Sequence, residues 1–273
     1  MRDGSGLWWR DIVDDFHVLD EKELPEGAVF GIGYRSICIN VPRYLEFLME
    51  RLRELGAVFV VKELDVKGGL RGVVNEGRRA LIEGGVKEED ILGVINCLGM
   101  GTRDVLVHSD GSDKEEVEKL YPIRGQTILV KGEAKAARTY TELGVSDELA
   151  YVIPRPGSGT TILGGCKQPG NYSSEVDLEL SSRILERIKK YNLAPELLTA
   201  EGEFEIIGTQ VGFRPGRKGG PRVEIEKEGG NFGSSLLIHA YGHAGAGYQN
   251  SVGSSEEVVR LVKQSPEIDS GIE

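Results

Sequence analysis

The sequence predicts a mixed α/β (α+β) protein in which one layer of helices and buried strands is interrupted by a second, mainly antiparallel layer. Near the N-terminus, uninterrupted apolar runs accompany a helical pattern, which is typical of a parallel sheet covered by helices. From Tyr121 onward, short strands separated by turns are typical of an antiparallel sheet. Because the last apolar strand and helix return to the first pattern, we expect two intertwined domains, residues 41–112 with 235–265 and residues 1–40 with 113–234.

Composition excludes several classes of protein. The chain has 273 residues and a net charge of −11, with acidic residues spread throughout, which argues for solubility and against nucleic acid as a partner. Cys38, Cys97 and Cys166 each lie in an apolar stretch, so we expect buried free thiols in a reducing compartment and no metal site. No segment has the length of a membrane span, and neither terminus carries a secretory or SKL-type signal. These features predict an intracellular protein.

The first elements follow from local patterns. The adjacent aromatic rings of Trp8 and Trp9 predict burial. A strand is expected over 29–40, followed by a helix that begins at an Asn40 cap with Pro42 in its first turn. The apolar face of that helix consists of Tyr44, Leu45, Leu48, Leu52 and Leu55. Buried strands are expected over 57–61 and 91–99, with a polar stretch between them.

The middle of the chain predicts the antiparallel layer. Its expected strands cover 127–130, 151–154, 160–163, 204–211 and 222–226. One helix is expected over 178–191, and the residues from Ser265 onward are expected to form a frayed tail.

The stretch 236–251 is the strongest candidate for a binding site. An apolar strand ends at Gly242, a loop of small residues follows, and a helix is predicted from about Gln249 to Lys263. Gly245 and Gly247 leave no Cβ to block a ligand, and the N–H groups at the helix start suit an anionic or electron-rich group. By spacing alone, a plain crossover turn inside an α/β sheet explains the pattern equally well.

Other candidate side chains stand at strand ends. Arg214 could offer its planar fork to a carboxylate, whereas a solvated basic turn suits Arg217 and Lys218 better. The Tyr151 hydroxyl could add a further hydrogen bond, although a core tyrosine is the more common case. His239 and His243 are expected to pack or to hydrogen-bond locally, and no catalytic acid–base pair can be identified.

Several motifs, in this order, resemble those of the FAD-dependent D-amino-acid oxidases of the fungal type, with D-aspartate oxidases among their relatives. The similar region runs from about Gly6 to Lys263. The motifs are Asn96-Cys97-Leu98-Gly99, Pro122-Ile123-Arg124-Gly125-Gln126-Thr127, Tyr151-Val152-Ile153-Pro154-Arg155-Pro156-Gly157, Leu163-Gly164-Gly165, Gly212-Phe213-Arg214-Pro215, His239-Ala240-Tyr241-Gly242 and Gly247-Tyr248-Gln249.

The resemblance implies oxidation of a D-amino acid to a 2-oxo acid and ammonia, with O₂ reduced to hydrogen peroxide. The cofactor is FAD, which performs the redox chemistry while the protein positions the reactants, so no side chain is expected to be catalytic. Arg214 would bind the substrate carboxylate with help from Tyr151, and the Gly245 carbonyl and Gln249 would meet the amino group. The implied cofactor contacts come from Leu64, Ala244, Gly245, Ala246, Gly247, Tyr248 and Gln249.

The chain departs from the family pattern in two places. No strand–GxGxxG–helix unit is found, so we expect an incomplete Rossmann-like FAD-binding layer, an N-terminally truncated chain and weak FAD binding. Lys167 occupies a position that the resemblance links to substrate choice. It could favour D-aspartate or D-glutamate, whereas a lysine that points into solvent is the more common case.

Three alternatives stay open from the sequence. The chain could be an oxidase of acidic D-amino acids, or a non-catalytic remnant that binds small carboxylates or a partner without FAD. It could also be another amine-oxidising flavoenzyme, such as one acting on glycine. Expected partners are a D-amino acid and O₂, with neither nucleic acid nor membrane, while a homodimer and a peroxisomal or cytoplasmic location are left open.

Overall fold

The structure is a computed structural model that describes residues 5–109, 113–141, 148–226 and 236–265. The chain divides into two compact units. The first unit comprises residues 1–56, 126–167 and 174–211, and the second comprises 57–125, 168–173 and 212–273. Ser265, the first residue of the predicted frayed tail, is buried, and the rest of that predicted tail lies outside the described residues.

The chain combines helices with both antiparallel and parallel strands, which confirms the predicted mixed α/β fold class. In chain order the strands are β1 (His17–Val18), β2 (Ile32–Gly33), β3 (Gly93–Asn96), β4 (Leu120–Lys131), β5 (Arg138–Tyr140), β6 (Glu148–Arg155), β7 (Thr160–Cys166), β8 (Gln168–Pro169), β9 (Ile206–Arg217), β10 (Arg222–Ile225) and β11 (Leu236–Tyr241). The helices are α1 (Val41–Glu54), α2 (Gly69–Glu83), α3 (Gly101–Val107), α4 (Lys114–Lys119), α5 (Leu178–Lys190) and α6 (Ser251–Gln264).

Antiparallel pairing dominates the first unit, as the sequence predicts. Its strands run in the order β5-β6-β7-β4. The start of β4 belongs to the second unit, where it pairs antiparallel with β8. Helix α5 packs on β6 and β7 through Leu180, Ile184 and Ile188, which recur every fourth residue and are fully buried. The Asp177 side chain caps this helix by accepting a hydrogen bond from the Leu180 N–H at 2.9 Å.

A three-stranded sheet in the order β10-β11-β3 forms the centre of the second unit. Strand β11 runs parallel to β3 and antiparallel to β10, so the predicted parallel pairing is confirmed for one pair of strands. Helix α2 contributes Leu70, Val73 and Val74 to a buried cluster with Leu237 and Tyr241 of β11. The local pattern does not predict α2, because arginines and glycines interrupt its apolar face.

Several predictions of buried segments are wrong. The apolar run 57–61 forms no strand, and its side chains are exposed, Val61 completely. Of the strand expected over 29–40, only β2 forms, paired with β1. Trp8 is 83% exposed, whereas Trp9 packs edge-on against Phe16 and Tyr34. An apolar run becomes a buried strand only when another strand completes its hydrogen bonds, which a local pattern does not report.

The cysteines are less uniform than expected. Cys166 is buried, Cys38 is half-buried and Cys97 is exposed, and all three are free thiols. Desolvation raises the pKa of both Cys38 and Cys97, which disfavours their reactive thiolate forms. Helix α1 begins directly after Asn40, as predicted, but the Asn40 amide donates to the Pro156 carbonyl at 3.0 Å instead of capping the helix.

Candidate functional site

The candidate site in the second unit is built at the edge where β3 and β11 end. The two strands are parallel, with Ile95 opposite Ile238 and Asn96 opposite His239. The loops that follow them therefore leave the sheet on the same side. The carboxyl edge of neighbouring parallel strands is where open α/β sheets bind ligands.

The loop after β11 turns sharply because Gly242 adopts a left-handed conformation, with φ +84°. Ala244 is also left-handed, with φ +50°, and begins a short helical turn over Ala244–Ala246. The His243 ring lies 2.9 Å from the Ser254 hydroxyl, which ties the loop to α6. A Cβ added to Gly247 would have no neighbour within 4 Å, so this stretch of backbone is open to a ligand.

The structure brings Arg214 of β9 against this loop. A Cβ added to Gly245 would lie 3.5 Å from Cδ of Arg214. At its far end the guanidinium lies over Gly125 of β4, where an added Cβ would lie 2.6 Å from Nη1. Two of the predicted substrate-binding residues, Arg214 and Gly245, are therefore neighbours in the second unit.

The remaining predicted site residues are distributed as follows. Tyr248 and Gln249 are exposed on the same loop, and Leu64 is half-buried against the cluster that contains Val73 and Tyr241. Tyr151 and Lys167 belong to the first unit. The Tyr151 ring lies over Gly164 and Gly165, and Lys167 is exposed.

A buried polar chain fixes the loop after β3. His239, with no exposed surface, hydrogen-bonds at 2.8 Å with the Glu226 carboxylate through Nε2 and at 3.2 Å with the Asn96 amide through Nδ1. The Asn96 carbonyl oxygen accepts from the Leu98 N–H at 3.1 Å and from the Thr102 hydroxyl at 3.2 Å, so the Asn96 amide nitrogen must donate. Nδ1 of His239 therefore accepts from the Asn96 amide, and Nε2 donates to Glu226. The prediction that His239 hydrogen-bonds locally is confirmed, as is that for His243.

A second polar group lies at the end of β11, next to the loop that begins at Gly242. Arg217 donates from Nε and Nη2 to Glu116 of α4 at 2.6 and 2.9 Å, and the Tyr241 hydroxyl donates to the same carboxylate at 2.9 Å. The predicted solvation of Arg217 is wrong, since only 14% of its side chain is exposed. Lys218, the other residue of the predicted basic turn, is exposed.

The hydrogen bonds and charges around Glu116 favour the charged form of its carboxyl group. Burial opposes the charge on Glu116, but hydrogen bonds from Arg217 and Tyr241 and the nearby arginine charges outweigh it, so the pKa of that carboxyl is lowered. The hydrogen bond to Glu116 raises the pKa of Arg217. Burial raises the pKa of Tyr241, which keeps its hydroxyl protonated and able to donate.

Sequence reasoning missed Gly125, Glu116 and Glu226. Glu116 is separated from Arg217 by 101 positions, and nothing in the local pattern of α4 distinguishes it from its acidic neighbours. Arg124-Gly125-Gln126 before a strand is a weak signal by itself, and the resemblance assigns Gly125 no role of its own. Within the described ranges, no group of three or more acidic, histidine or cysteine side chains could hold a metal ion, and no helix is long and apolar enough to cross a membrane.

Comparison with known proteins defines the family. The model of the DAO family, described as FAD dependent oxidoreductase, matches residues 6–261. The chain therefore belongs to this family.

Among curated relatives, the chain is similar to a D-amino-acid oxidase of Schizosaccharomyces pombe, with 36% identity over 255 residues that cover 93% of this chain and 66% of the relative. It is also 34% identical to a D-aspartate oxidase of Talaromyces thermophilus, over 91% of this chain and 59% of the relative. The chain thus spans 59% and 66% of the lengths of these two relatives.

Solved structures offer weaker matches. A glycine oxidase from Bacillus cereus has 22% identity and a TM-score of 0.46, covering 63% of this chain and 42% of that protein. An L-proline dehydrogenase from P. horikoshii has 15% identity and a TM-score of 0.48, covering 63% of this chain and 42% of that protein.

Proposed function

We propose that the protein takes part in the FAD-dependent oxidation of D-amino acids to 2-oxo acids, ammonia and hydrogen peroxide. The observation that carries the proposal is the placement of Arg214 beside Gly245, at the loop that follows a parallel strand. A guanidinium is the side chain best suited to bind a carboxylate by two parallel hydrogen bonds. Family membership and the two curated relatives support the same reaction.

The loop residues suit an electron-rich ring. Ala244 is left-handed, a Cβ added to Gly247 would meet nothing within 4 Å, and α6, with 14 residues, begins directly after the loop. We propose that the backbone from Ala244 to Gln249 holds the flavin, with Leu64 at its adenine. Bound there, FAD would supply the two-electron oxidation of the substrate, with O₂ as the final electron acceptor.

The residues of the chain then act by binding and orienting the substrate. Arg214 holds the carboxylate, which fixes the direction of the Cα–H bond, and the Gly245 carbonyl and Gln249 receive the amino group. On the resemblance alone, the Tyr151 hydroxyl adds a hydrogen bond to the carboxylate. We assign FAD to residues 41–112 with 235–265 and the substrate side to 1–40 with 113–234.

The proposal also covers the binding partners and the cellular location of the protein. The expected small molecules are a D-amino acid and O₂, without nucleic acid or membrane, and the oligomeric state to test is a homodimer. An intracellular location, peroxisomal or cytoplasmic, is proposed from the sequence.

The decisive experiment is the visible absorption spectrum of the purified chain with added FAD, before and after anaerobic D-alanine. A protein-shifted flavin spectrum that D-alanine bleaches supports the proposal. The matched control is Arg214→Ala, which should keep the flavin bands but lose bleaching at low D-alanine. A free-flavin spectrum without bleaching contradicts the proposal for this chain. If acetate still stabilises the chain in an Arg214-dependent way, the non-catalytic carboxylate-binding alternative stands instead.

A second candidate substrate class is acidic D-amino acids. It is favoured by the cationic side chain of Lys167 and by the similarity to a D-aspartate oxidase. A kcat/KM that is higher for D-aspartate than for D-alanine, and that reverses in Lys167→Ala, would support it. A higher kcat/KM for D-alanine than for D-aspartate in the wild type would exclude this substrate class. Solvent exposure would then be sufficient to explain a lysine at position 167.

A further inference from the structure

Gly125 lies at a point of β4 whose backbone is held firmly. The preceding residue, Arg124, is only 2% exposed. Its Nε donates to the Ser173 carbonyl at 2.8 Å and its Nη1 to the Gln168 side chain at 3.0 Å, while its backbone pairs with β8. Because these bonds fix the strand, Gly125 presents a surface that does not move easily.

The end of the Arg214 guanidinium lies against that surface. A Cβ at position 125 would lie 2.6 Å from Nη1, 2.8 Å from Nη2 and 2.9 Å from Cζ of Arg214. These three atoms belong to the planar group, so any side chain at 125 would occupy the place of the fork. Gly125 is not left-handed, so the backbone itself does not require a glycine there. A side chain at position 125 therefore requires the end of the Arg214 side chain to move.

The neighbouring Gly245 behaves differently. A Cβ there would lie 3.5 Å from Cδ and 3.9 Å from Nε of Arg214, which is ordinary van der Waals contact. Gly245 therefore lies beside Cδ and Nε of Arg214, whereas Gly125 lies beside the terminal nitrogens of its guanidinium group.

We propose that Gly125 is a positioning residue that sets where the Arg214 fork lies and thereby determines how the site recognises a carboxylate. The inference deepens the proposed function and rests on it for the identity of the ligand. Two parallel hydrogen bonds to a carboxylate require both guanidinium nitrogens in one plane with it, so a displaced fork loses at least one of them. Because the guanidinium ends a flexible side chain, a methyl group at 125 displaces the fork without unfolding the strand.

Gly125→Ala tests the kinetic consequence. The control is Gly77→Ala on α2, where an added Cβ meets nothing within 4 Å. We expect Gly125→Ala to raise the KM for D-alanine at least about tenfold while kcat changes less, since mainly substrate binding is lost. Gly77→Ala should have the KM of the wild type. A wild-type KM in Gly125→Ala would overturn the proposal.

The same change in an Arg214→Lys background separates positioning from a structural effect. A compact ammonium needs no flat surface, so adding Gly125→Ala to Arg214→Lys should alter KM by less than about twofold. An equal rise of KM in both backgrounds would overturn the proposal. Unfolding of Gly125→Ala that persists in the double variant would do so as well, because the methyl group would then clash with the backbone.

A readout that needs no oxidase activity is the ¹⁵N NMR signal of the arginine Nε–H groups. The Arg214 signal is identified by its loss in Arg214→Lys. It should move in Gly125→Ala and stay in place in Gly77→Ala. If it moves in a chain that oxidises no D-amino acid, the proposed function fails and the positioning role stands. If it stays in place in Gly125→Ala, the positioning role fails whatever the activity.

Discussion

The buried imidazole of His239 and the carboxylate of Glu226 form a 2.8 Å hydrogen bond that holds the His239 proton on Nε2. With the proton there, Nδ1 is free to accept from Asn96, and Asn96 in turn holds the loop after β3. The Glu226 carboxylate is therefore connected through His239 and Asn96 to the loop at the edge of the sheet where the candidate site lies.

Removal of Glu226 should destabilise the protein strongly. In Glu226→Ala both the His239 N–H and Arg222 lose an acceptor inside the protein, and we expect a loss of about 2–4 kcal/mol in the free energy of unfolding. Urea denaturation measures the loss. The control is Glu224→Ala, because Glu224 pairs with the same arginine but is 51% exposed, and its loss should stay below about 1 kcal/mol. Equal losses in the two variants would show that the His239 contact does not matter.

Glu116 should give the protein a dependence of stability on acid pH. Its pKa is lower in the folded chain than the ordinary value of 4.5, so its stabilising contribution is present above that pH and disappears as pH falls through the folded value. Unfolding free energies measured between about pH 6 and pH 3 should fall less steeply in Glu116→Gln than in the wild type.

The matched control for Glu116 is Glu115→Gln on the same helix. The Glu115 pKa is also lowered, chiefly by its hydrogen bond to Lys119, but Glu115 is fully exposed. Solvent screens that contact, so the acid dependence should change less in this variant. A larger change for Glu115→Gln would contradict the importance assigned to the buried pair.

Gly164 should not tolerate a side chain. A Cβ at this position would overlap the Tyr151 ring, which lies across the glycine pair of β7. We expect Gly164→Ala to destabilise the protein by about 1–3 kcal/mol through overpacking, measured by urea denaturation. Gly208→Ala on β9 is the control, since a Cβ there has no neighbour within 4 Å. A Gly164→Ala protein as stable as the control would mean that Tyr151 can leave this position at little cost.

Replacement by glycine should destabilise the protein less at the left-handed Ala244 than at Ala246. Its φ of +50° costs about 1 kcal/mol for a residue with a Cβ, so Ala244→Gly removes strain that offsets the extra entropy of the unfolded chain. Its unfolding free energy should stay within about 0.5 kcal/mol of the wild type. Ala246→Gly, in the same turn but without a positive φ, should lose about 0.5–1 kcal/mol. A larger loss in Ala244→Gly than in Ala246→Gly would contradict the assigned strain.

Arg214→Lys should reduce oxidation of D-alanine while keeping the charge. A lysine cannot bind a carboxylate through two parallel bonds, so we expect kcat/KM to fall about tenfold to a hundredfold in steady-state peroxide assays. Lys218→Ala, which removes an exposed charge from the turn after β9, serves as the control and should leave kcat/KM unchanged. Equal activity of Arg214→Lys and the wild type would remove Arg214 from the proposed role.

Patterns that extend over a few neighbouring residues were predicted well from the sequence. The start of α1 after Asn40, the period of α5, the antiparallel strands and the helix after the glycine loop all match. Each depends on local chemistry, such as a helix start, an apolar repeat or a turn residue, which the chain carries within about one or two helical turns. The choice of Arg214 as a candidate was also local, because a planar cation near turn residues suits a binding role, although the structure places Arg214 within β9.

Tertiary structure alone decided which of those local elements are buried and which side chains meet. The run 57–61 has the composition of a core strand, yet no described strand pairs with it. The pairs Glu116–Arg217 and Gly125–Arg214 join residues that are far apart in sequence. Such contacts depend on the order of strands in a sheet, which periodicity does not encode. The sequence by itself determined the strand–glycine loop–helix unit and the candidate cation, and the fold determined the surface on which that cation lies.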